Sequence, residues 1–199
     1  MKVVLYTGGL DSYIGLWLLR KATGEQWIPI YFDLNSRYSW KERNVIEHLD
    51  GIAAVRVIKG VLNLEELEQA DSYVPQRNTL LCAAVQAVYD GAVTDIALCS
   101  VADDVYRDNS AAFHIEMSRL LSLTAGYDIR VFSPLQKGSI TEHGIPHNLL
   151  TKQEAVKKYL ELGGDAAALR RTISCYDSRM VSCGRCKACE RHNEALLII

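Results

Sequence analysis

Two rhythms of apolar residues alternate along the chain. Short β-branched or apolar runs occur at KVVLYT (2–7), WIPIYFDL (27–34), AVRVIK (54–59), DIALCSV (95–101) and DIRVFSPL (128–135). Between and after them, residues 12–22, 39–49, 78–90, 110–124 and 152–162 place apolar side chains three and four positions apart. Runs that stay apolar on both faces suit the buried strands of a parallel sheet, and the longer spacing suits helices that cover it. Five strands alternating with five helices predict an α/β fold with a doubly wound, mainly parallel five-stranded sheet. Such sheets bind ligands beyond the carboxyl ends of their strands. QKGSITEHGIPHNLL (136–150) has no clear period and is rich in Gly, Pro, Ser and His, so it predicts a long loop, a mobile lid. There is no internal repeat, low-complexity tract or long linker.

The first predicted turn carries the first chemistry. In YTGGLDSYIGLWLL (6–19), strand one would end near Thr7 and Gly8-Gly9 would let the backbone approach a ligand without Cβ obstruction. Ser12 is expected to cap the helix that follows. Free N–H groups at the helix start, the hydroxyls of Thr7 and Ser12 and the positive end of the macrodipole would together make an anion cradle. The string is neither GxxxxGK[ST] nor GxGxxG.

Bulk properties narrow the class. A chain of 199 residues, 49% of them hydrophobic, suffices for one sizeable core and a small appendage. Lys+Arg 22 against Asp+Glu 24 leaves a net charge of -2, with no basic excess to drive binding to nucleic-acid backbones. Lys2 and the apolar residues after it have the look of a signal peptide, but Gly8, Gly9 and Asp11 interrupt the run and no small-residue cleavage site follows. No uninterrupted apolar stretch approaches the ~18 residues of a membrane span. The expected location is cytoplasmic.

Four of the six cysteines crowd into CYDSRMVSCGRCKAC, placing Cys175, Cys183, Cys186 and Cys189 in a C-x7-C-x2-C-x2-C arrangement. That density in an otherwise cysteine-poor chain reads as intracellular metal binding rather than a disulfide scaffold. Four thiolates close a tetrahedral Zn²⁺ shell with no position left for chemistry, so the site would be structural. An iron–sulfur cluster is the competing reading, because CxxCxxC with a remote cysteine also serves ferredoxins. Cys82 and Cys99 fall in an apolar helix and a strand, where buried cysteine is ordinary. His143 and His147 are four apart in the 136–150 loop and read as solvated loop histidines rather than metal ligands.

TGGLDS resembles the SGGxDS pyrophosphate loop of the N-type ATP pyrophosphatases (PP-loop superfamily), with Thr7 in place of the first serine. That resemblance implies cleavage of ATP between the α and β phosphates, Thr7, Gly8, Gly9, Leu10, Asp11 and Ser12 holding the nucleotide, and Asp11 helping to hold Mg²⁺. Together with the cysteine tail it resembles the 7-cyano-7-deazaguanine synthase family. Further matches follow in order along nearly the whole chain: YFDLNSRYS (31–39), YVPQRN (73–78), CSVADDVYRDNS (99–110), SPL (133–135) and TKQEAV (151–156). The chain departs from the family in Tyr38 after Arg37, in the absence of the usual arginine after Asp108, and in the expanded 136–150 segment.

The resemblance implies an adenine nucleotide alpha hydrolase-like sheet in residues 1–165 and a zinc-binding region in 166–199 packed on the same domain. It implies a C–N ligase that makes 7-cyano-7-deazaguanine from 7-carboxy-7-deazaguanine, ammonia and ATP, working as a homodimer. Arg37 would lie near the adenine and ribose, with Arg77, Asn78, Tyr106 and Asp108 at the deazaguanine. Asp108 can accept hydrogen bonds from adjacent guanine-like donors. Arg77 and Lys152 can stabilise charge developing at the α phosphate and the substrate carboxylate, making Asp11, Ser12, Arg77 and Lys152 the catalytic set. Other readings are an enzyme that stops at the amide, a PP-loop enzyme that thiolates tRNA, and a non-enzymatic zinc-knuckle module. No stable nucleic-acid complex and no membrane association are expected.

Overall fold

The computed structural model describes residues 1–48, 55–69, 72–137, 148–177 and 181–199. Five strands, β1 (Lys2–Leu5), β2 (Ile28–Phe32), β3 (Arg56–Ile58), β4 (Asp95–Ala97) and β5 (Arg130–Phe132), form one sheet in the order β3-β2-β1-β4-β5. Every pairing is parallel, with Val4 beside Pro29 on one flank and Ala97 on the other. The sheet is thus parallel throughout, and its order reverses on either side of β1, which puts the end of β1 at the switch point.

The expected helices appear as α1 (Leu10–Thr23), α2 (Ser39–His48), α3 (Arg77–Val88), α4 (Ala111–Ala125) and α5 (Lys152–Glu161). Two more follow, α6 (Ala166–Arg170) and α7 (Lys187–Leu196), which periodicity did not reveal. Alternation along the strands sorts the core into two layers. Val4, Tyr6, Ala97 and Phe132 pack with residues of α1, α5 and α7 on one face. Val3, Leu5, Ile96 and Val131 pack with Cys82 and Val85 of α3 and Met117 and Leu121 of α4 on the other. Helices therefore cover both faces, as a doubly wound sheet requires.

Helix α1 is buried nearly all round, which a helix tolerates only when it lies between layers. Gly15 makes that approach close: a Cβ there would meet Cys99 Sγ at 2.4 Å and Pro134 Cγ at 3.0 Å. Cys99 lies beyond the end of β4 rather than in it, in a left-handed conformation with φ 55°. Buried as expected, it serves as packing for α1.

The strands are shorter than the apolar runs, whose flanking residues Trp27, Tyr6 and Leu135 are buried in the core beyond the strand ends. The ends of the 136–150 segment are pinned: Gln136 bridges Leu149, and Lys137 N donates to Asn148 O at 2.8 Å. Residues 138–147, with His143 and His147, lie outside the described residues. Among the described residues no helix is long and apolar enough to cross a membrane.

Candidate active site

The turn after β1 holds the first half of the site. Gly8 has φ 74°, and a Cβ there would meet Val45 Cγ1 of α2 at 2.9 Å, so glycine is required both for the turn and for the packing. Gly9, extended at φ -73° and ψ 163°, is the N-cap of α1, and no side chain caps the helix. Ser12 is therefore not the cap. It sits in the first turn, where Oγ donates to Gly9 O at 3.0 Å and accepts from Thr7 N at 3.3 Å. The helix begins two residues earlier than expected because Leu10 is buried in the core. Thr7 Oγ1 lies 3.5 Å from Ser12 Oγ and accepts from Gly9 N at 3.4 Å, so both hydroxyls line the turn. The N–H groups of Leu10, Asp11 and Ser12 are the first-turn donors that have no helical acceptor.

Lys152 reaches this turn from the far side of the sequence. It is the first residue of α5, held there by a capping box in which Thr151 Oγ1 accepts from Glu154 N while Glu154 accepts from Thr151 N. A lysine at the positive end of a helix is electrostatically misplaced unless something else holds it. Here its Nζ donates to Asp11 Oδ2 at 2.7 Å, and its backbone N donates to Asp103 Oδ1 at 3.1 Å. Burial pulls the Lys152 ammonium down, but Asp11, then Asp104 and Tyr176, outweigh it and leave its pKa raised. Asp11 Oδ1 is buried and has no hydrogen-bond partner among the described residues. An orphaned carboxylate oxygen at a helix start is a hard donor of the kind Mg²⁺ takes.

Three groups that the sequence did not single out stand around this pair. Asp104 is pushed up to about 6 by burial and by the charge of Asp11, with Lys152 and Arg191 pulling the other way. Arg191 of α7 lies 3.6 Å from Asp104. Burial and then Lys152 hold the imidazole of His192, the next residue, below its usual range against the pull of Asp11, and its Nδ1 is buried without a partner among the described residues.

A second cluster forms a small pocket lined by Ser72, Tyr73, Val74, Arg77, Tyr106, Asp108 and Tyr176. Tyr106 stacks on Tyr73 with centroids 4.6 Å apart and planes 6° from parallel. Arg77, the first residue of α3, loses some basicity to burial and regains more from Tyr38, Tyr176, Glu42 and Asp108. Asn78 holds the 99–110 loop: its backbone N donates to Asp108 Oδ2 at 3.2 Å, and Nδ2 donates to Asp108 O and Asn109 Oδ1, both at 2.8 Å. Both amide protons of Asn78 are thereby committed, and one carboxylate oxygen of Asp108 already has a donor. Arg37 donates to Glu68 Oε1 at 2.7 Å and to Ser72 Oγ at 2.6 Å, which sets it at the Ser72 rim of the pocket. Behind Arg77, Glu42 of α2 accepts from Tyr31 Oη at 3.0 Å and is pushed up to about 7, mainly by burial.

Tyr176 joins the two clusters. It packs against Tyr38 at 5.1 Å between centroids and interacts electrostatically with both Arg77 and Lys152. Its neighbour Cys175 belongs to the cysteine cluster, where the four Sγ atoms of Cys175, Cys183, Cys186 and Cys189 all lie within 4.8 Å of one another. The Cys183 to Cys189 separation of 3.9 Å matches the edge of about 3.8 Å that four Zn–S bonds of ~2.3 Å give a tetrahedron. No disulfide joins any of them, and the donor set fits zinc. Just upstream, Ile173 N donates to Gly8 O at 3.3 Å, so the tail closes over the Gly8-Gly9 turn.

The chain also matches known proteins over most of its length. The family described as queuosine biosynthesis protein QueC matches residues 51–199. The chain is 26% identical to a 7-cyano-7-deazaguanine synthase of Thiobacillus denitrificans over 223 residues, covering 98% of this chain and 92% of that protein. It is 26% identical to one of Persephonella marina, covering 97% and 90%. It is 24% identical to 7-cyano-7-deazaguanine synthase 2 of Sulfurisphaera tokodaii over 98% of its own length, but spans only 45% of that relative. A solved structure described as a predicted subunit of tRNA methyltransferase from Methanocaldococcus jannaschii aligns with TM-score 0.46 and 16% identity over 92% of this chain and 97% of that one.

Proposed function

Because the chain belongs to the family of queuosine biosynthesis protein QueC, we propose that it uses ATP and ammonia to convert 7-carboxy-7-deazaguanine to 7-cyano-7-deazaguanine, releasing AMP and pyrophosphate. The observation that carries the chemistry is the pairing of Lys152 with Asp11, whose second carboxylate oxygen is buried at the Gly8-Gly9 turn with no partner among the described residues.

The first-turn N–H groups of Leu10, Asp11 and Ser12 and the hydroxyls of Thr7 and Ser12 hold the β and γ phosphates. Asp11 Oδ1 fits Mg²⁺, which arrives with ATP and would offset the charge of the phosphates. A substrate carboxylate oxygen attacks the α phosphorus, the bond to the β phosphate breaks, and pyrophosphate stays in the turn. Lys152 stabilises charge that accumulates at the α phosphate, and Arg77 does so at the substrate carboxylate. Tyr106, on its stacked partner Tyr73, forms an aromatic wall for the flat base, and Asp108 accepts from its amino and ring N–H groups. Ammonia then adds to the acyl carbon and AMP departs with the activated oxygen, leaving the amide. A second adenylation, now on the amide oxygen, lets AMP leave as the amide nitrogen loses its protons, giving the nitrile.

The cysteine cluster takes no part in these steps; zinc in it would fix Tyr176 and Ile173 against the site from outside. Incubating the protein with ATP, Mg²⁺, ammonia and 7-carboxy-7-deazaguanine and following the base and AMP by mass spectrometry tests the reading. A base that gains no nitrogen, with AMP released only when tRNA is added, would replace it with an RNA-modifying enzyme.

A further inference from the structure

We propose that Lys41 is the counter-cation of the metal–thiolate centre, binding Cys175 from outside the coordination shell and tying α2 to the metal. The inference rests on the zinc reading of the cysteine cluster and goes beyond it by assigning a residue from an element 134 positions away.

Lys41 is 2% exposed, which for a lysine requires a partner. Its Nζ donates to Cys175 Sγ at 3.3 Å and to Val181 O at 3.4 Å. Among the described residues no carboxylate pairs with it. Trp40 offers only its ring at 5.8 Å, near the limit for a cation–π contact. A buried ammonium whose acceptors are one sulfur and one carbonyl leaves its charge uncompensated unless the sulfur side is negative. Zn²⁺ with four thiolates carries a net charge of -2, and one adjacent cation halves it.

Hydrogen bonding singles out the same sulfur. Cys175 Sγ also accepts from Cys183 N at 3.4 Å and Asp177 N at 3.5 Å, so with Lys41 it has three donors. Cys183 Sγ accepts from Cys186 N at 3.3 Å, a local contact within the knuckle. The Lys41 contact is the one that leaves the tail. It reaches α2, whose neighbouring residues Tyr38 and Glu42 stand behind the Arg77 pocket. Partners of this kind fix a ligand's position and tune its affinity for the metal.

The test compares the zinc-loaded full chain with Lys41→Met, which keeps the length of the side chain and removes the charge, and with Lys41→Arg, which keeps the charge. Zinc transfer to a competing chelator gives affinity, and absorbance of the cobalt-substituted protein reports the thiolates directly. Lys41→Met is expected to weaken metal binding by about 10–100-fold and to shift the sulfur-to-cobalt charge-transfer band, with Lys41→Arg retaining most of the affinity. A folded Lys41→Met protein with unchanged affinity and unchanged cobalt spectrum overturns the proposal. Should that variant not fold, hydrogen exchange in the wild-type chain supplies the second measurement. Stripping the metal should raise exchange in residues 39–47, and unchanged exchange there overturns the proposal as well. A wild-type chain that takes up no metal at all instead removes the zinc reading, and this inference with it.

Discussion

Lys152 and Asp11, 141 residues apart, meet at 2.7 Å, and Asp11 Oδ1 stays buried with no partner among the described residues. Asp11→Asn and Lys152→Met are each expected to slow pyrophosphate release by roughly 10²–10³, because each removes a charged contact to the reacting phosphates. Ser12→Ala should lower the rate in the same direction while the far-ultraviolet circular dichroism stays that of the wild type. A pyrophosphate assay on folded variants checks all three, and near-wild-type rates in any of them remove that residue from the reaction.

For the tail, the expected outcome is one zinc per chain, lost together with stability when Cys183 or Cys186 becomes serine. Metal binding contributes its free energy to the folded state, and three thiolates leave the shell open. Elemental analysis and thermal melts of the two variants provide the check. Iron with acid-labile sulfide, and a visible absorption band, would replace zinc with a cluster.

Glu42 gives a stability prediction with a definite sign. Its folded pKa of about 7 lies above the 4.5 of a free glutamate, so between those values the folded state binds more protons than the unfolded one. Its contribution is then fully present below about 4.5 and is lost as pH rises through 7. Glu42→Gln, which keeps an acceptor for Tyr31, should match the wild type at low pH and exceed it above pH 7 by about 1–3 kcal/mol. Urea titrations of both proteins across that range decide it; a gap that does not widen with pH contradicts the assignment.

The proposed nitrile product requires activation of two oxygens, and the proposed nucleotide loop at residues 7–12 would have to serve both. The synthetic amide should therefore be a competent substrate without added ammonia, and conversion of the acid should consume about two ATP, one for each oxygen that must leave. The expanded 136–150 segment and the lack of an arginine after Asp108 are where an enzyme that stops at the amide would differ. Acid converted to amide with no turnover of added amide would leave an amide synthetase.

What the sequence revealed and what it hid divides by distance along the chain. The Gly8-Gly9 turn, the cysteine spacing and the order of strands and helices are local patterns, and all three are legible. The cap lies at Gly9, three residues before Ser12, because glycine takes the extended cap conformation without a side-chain bond and Leu10 pulls the helix start into the core. Lys152 could be named only by resemblance, since its spacing from Asp11 has no period to betray it. Tyr176, Asp104 and His192 carried no signal of their own: a tyrosine beside a cysteine, an acid in a loop and a charged C-terminal segment are ordinary until the fold brings them together. Helix α7 stayed hidden for the same reason, as KACERHNEAL has few apolar residues to set a rhythm.

Ile173 closes over Gly8, and Lys152 closes over Asp11, so the Gly8-Gly9 turn is finished by segments made much later in synthesis. As the protein is made, this turn emerges well before either partner: Lys152 follows Asp11 by 141 residues, and Ile173 is made later still. A nascent sheet can form meanwhile from β1 to β5, each strand pairing as its neighbour arrives. On the proposed reading of the turn, such a chain should meet ATP without capturing it, and competence for catalysis should arrive late, when the tail docks.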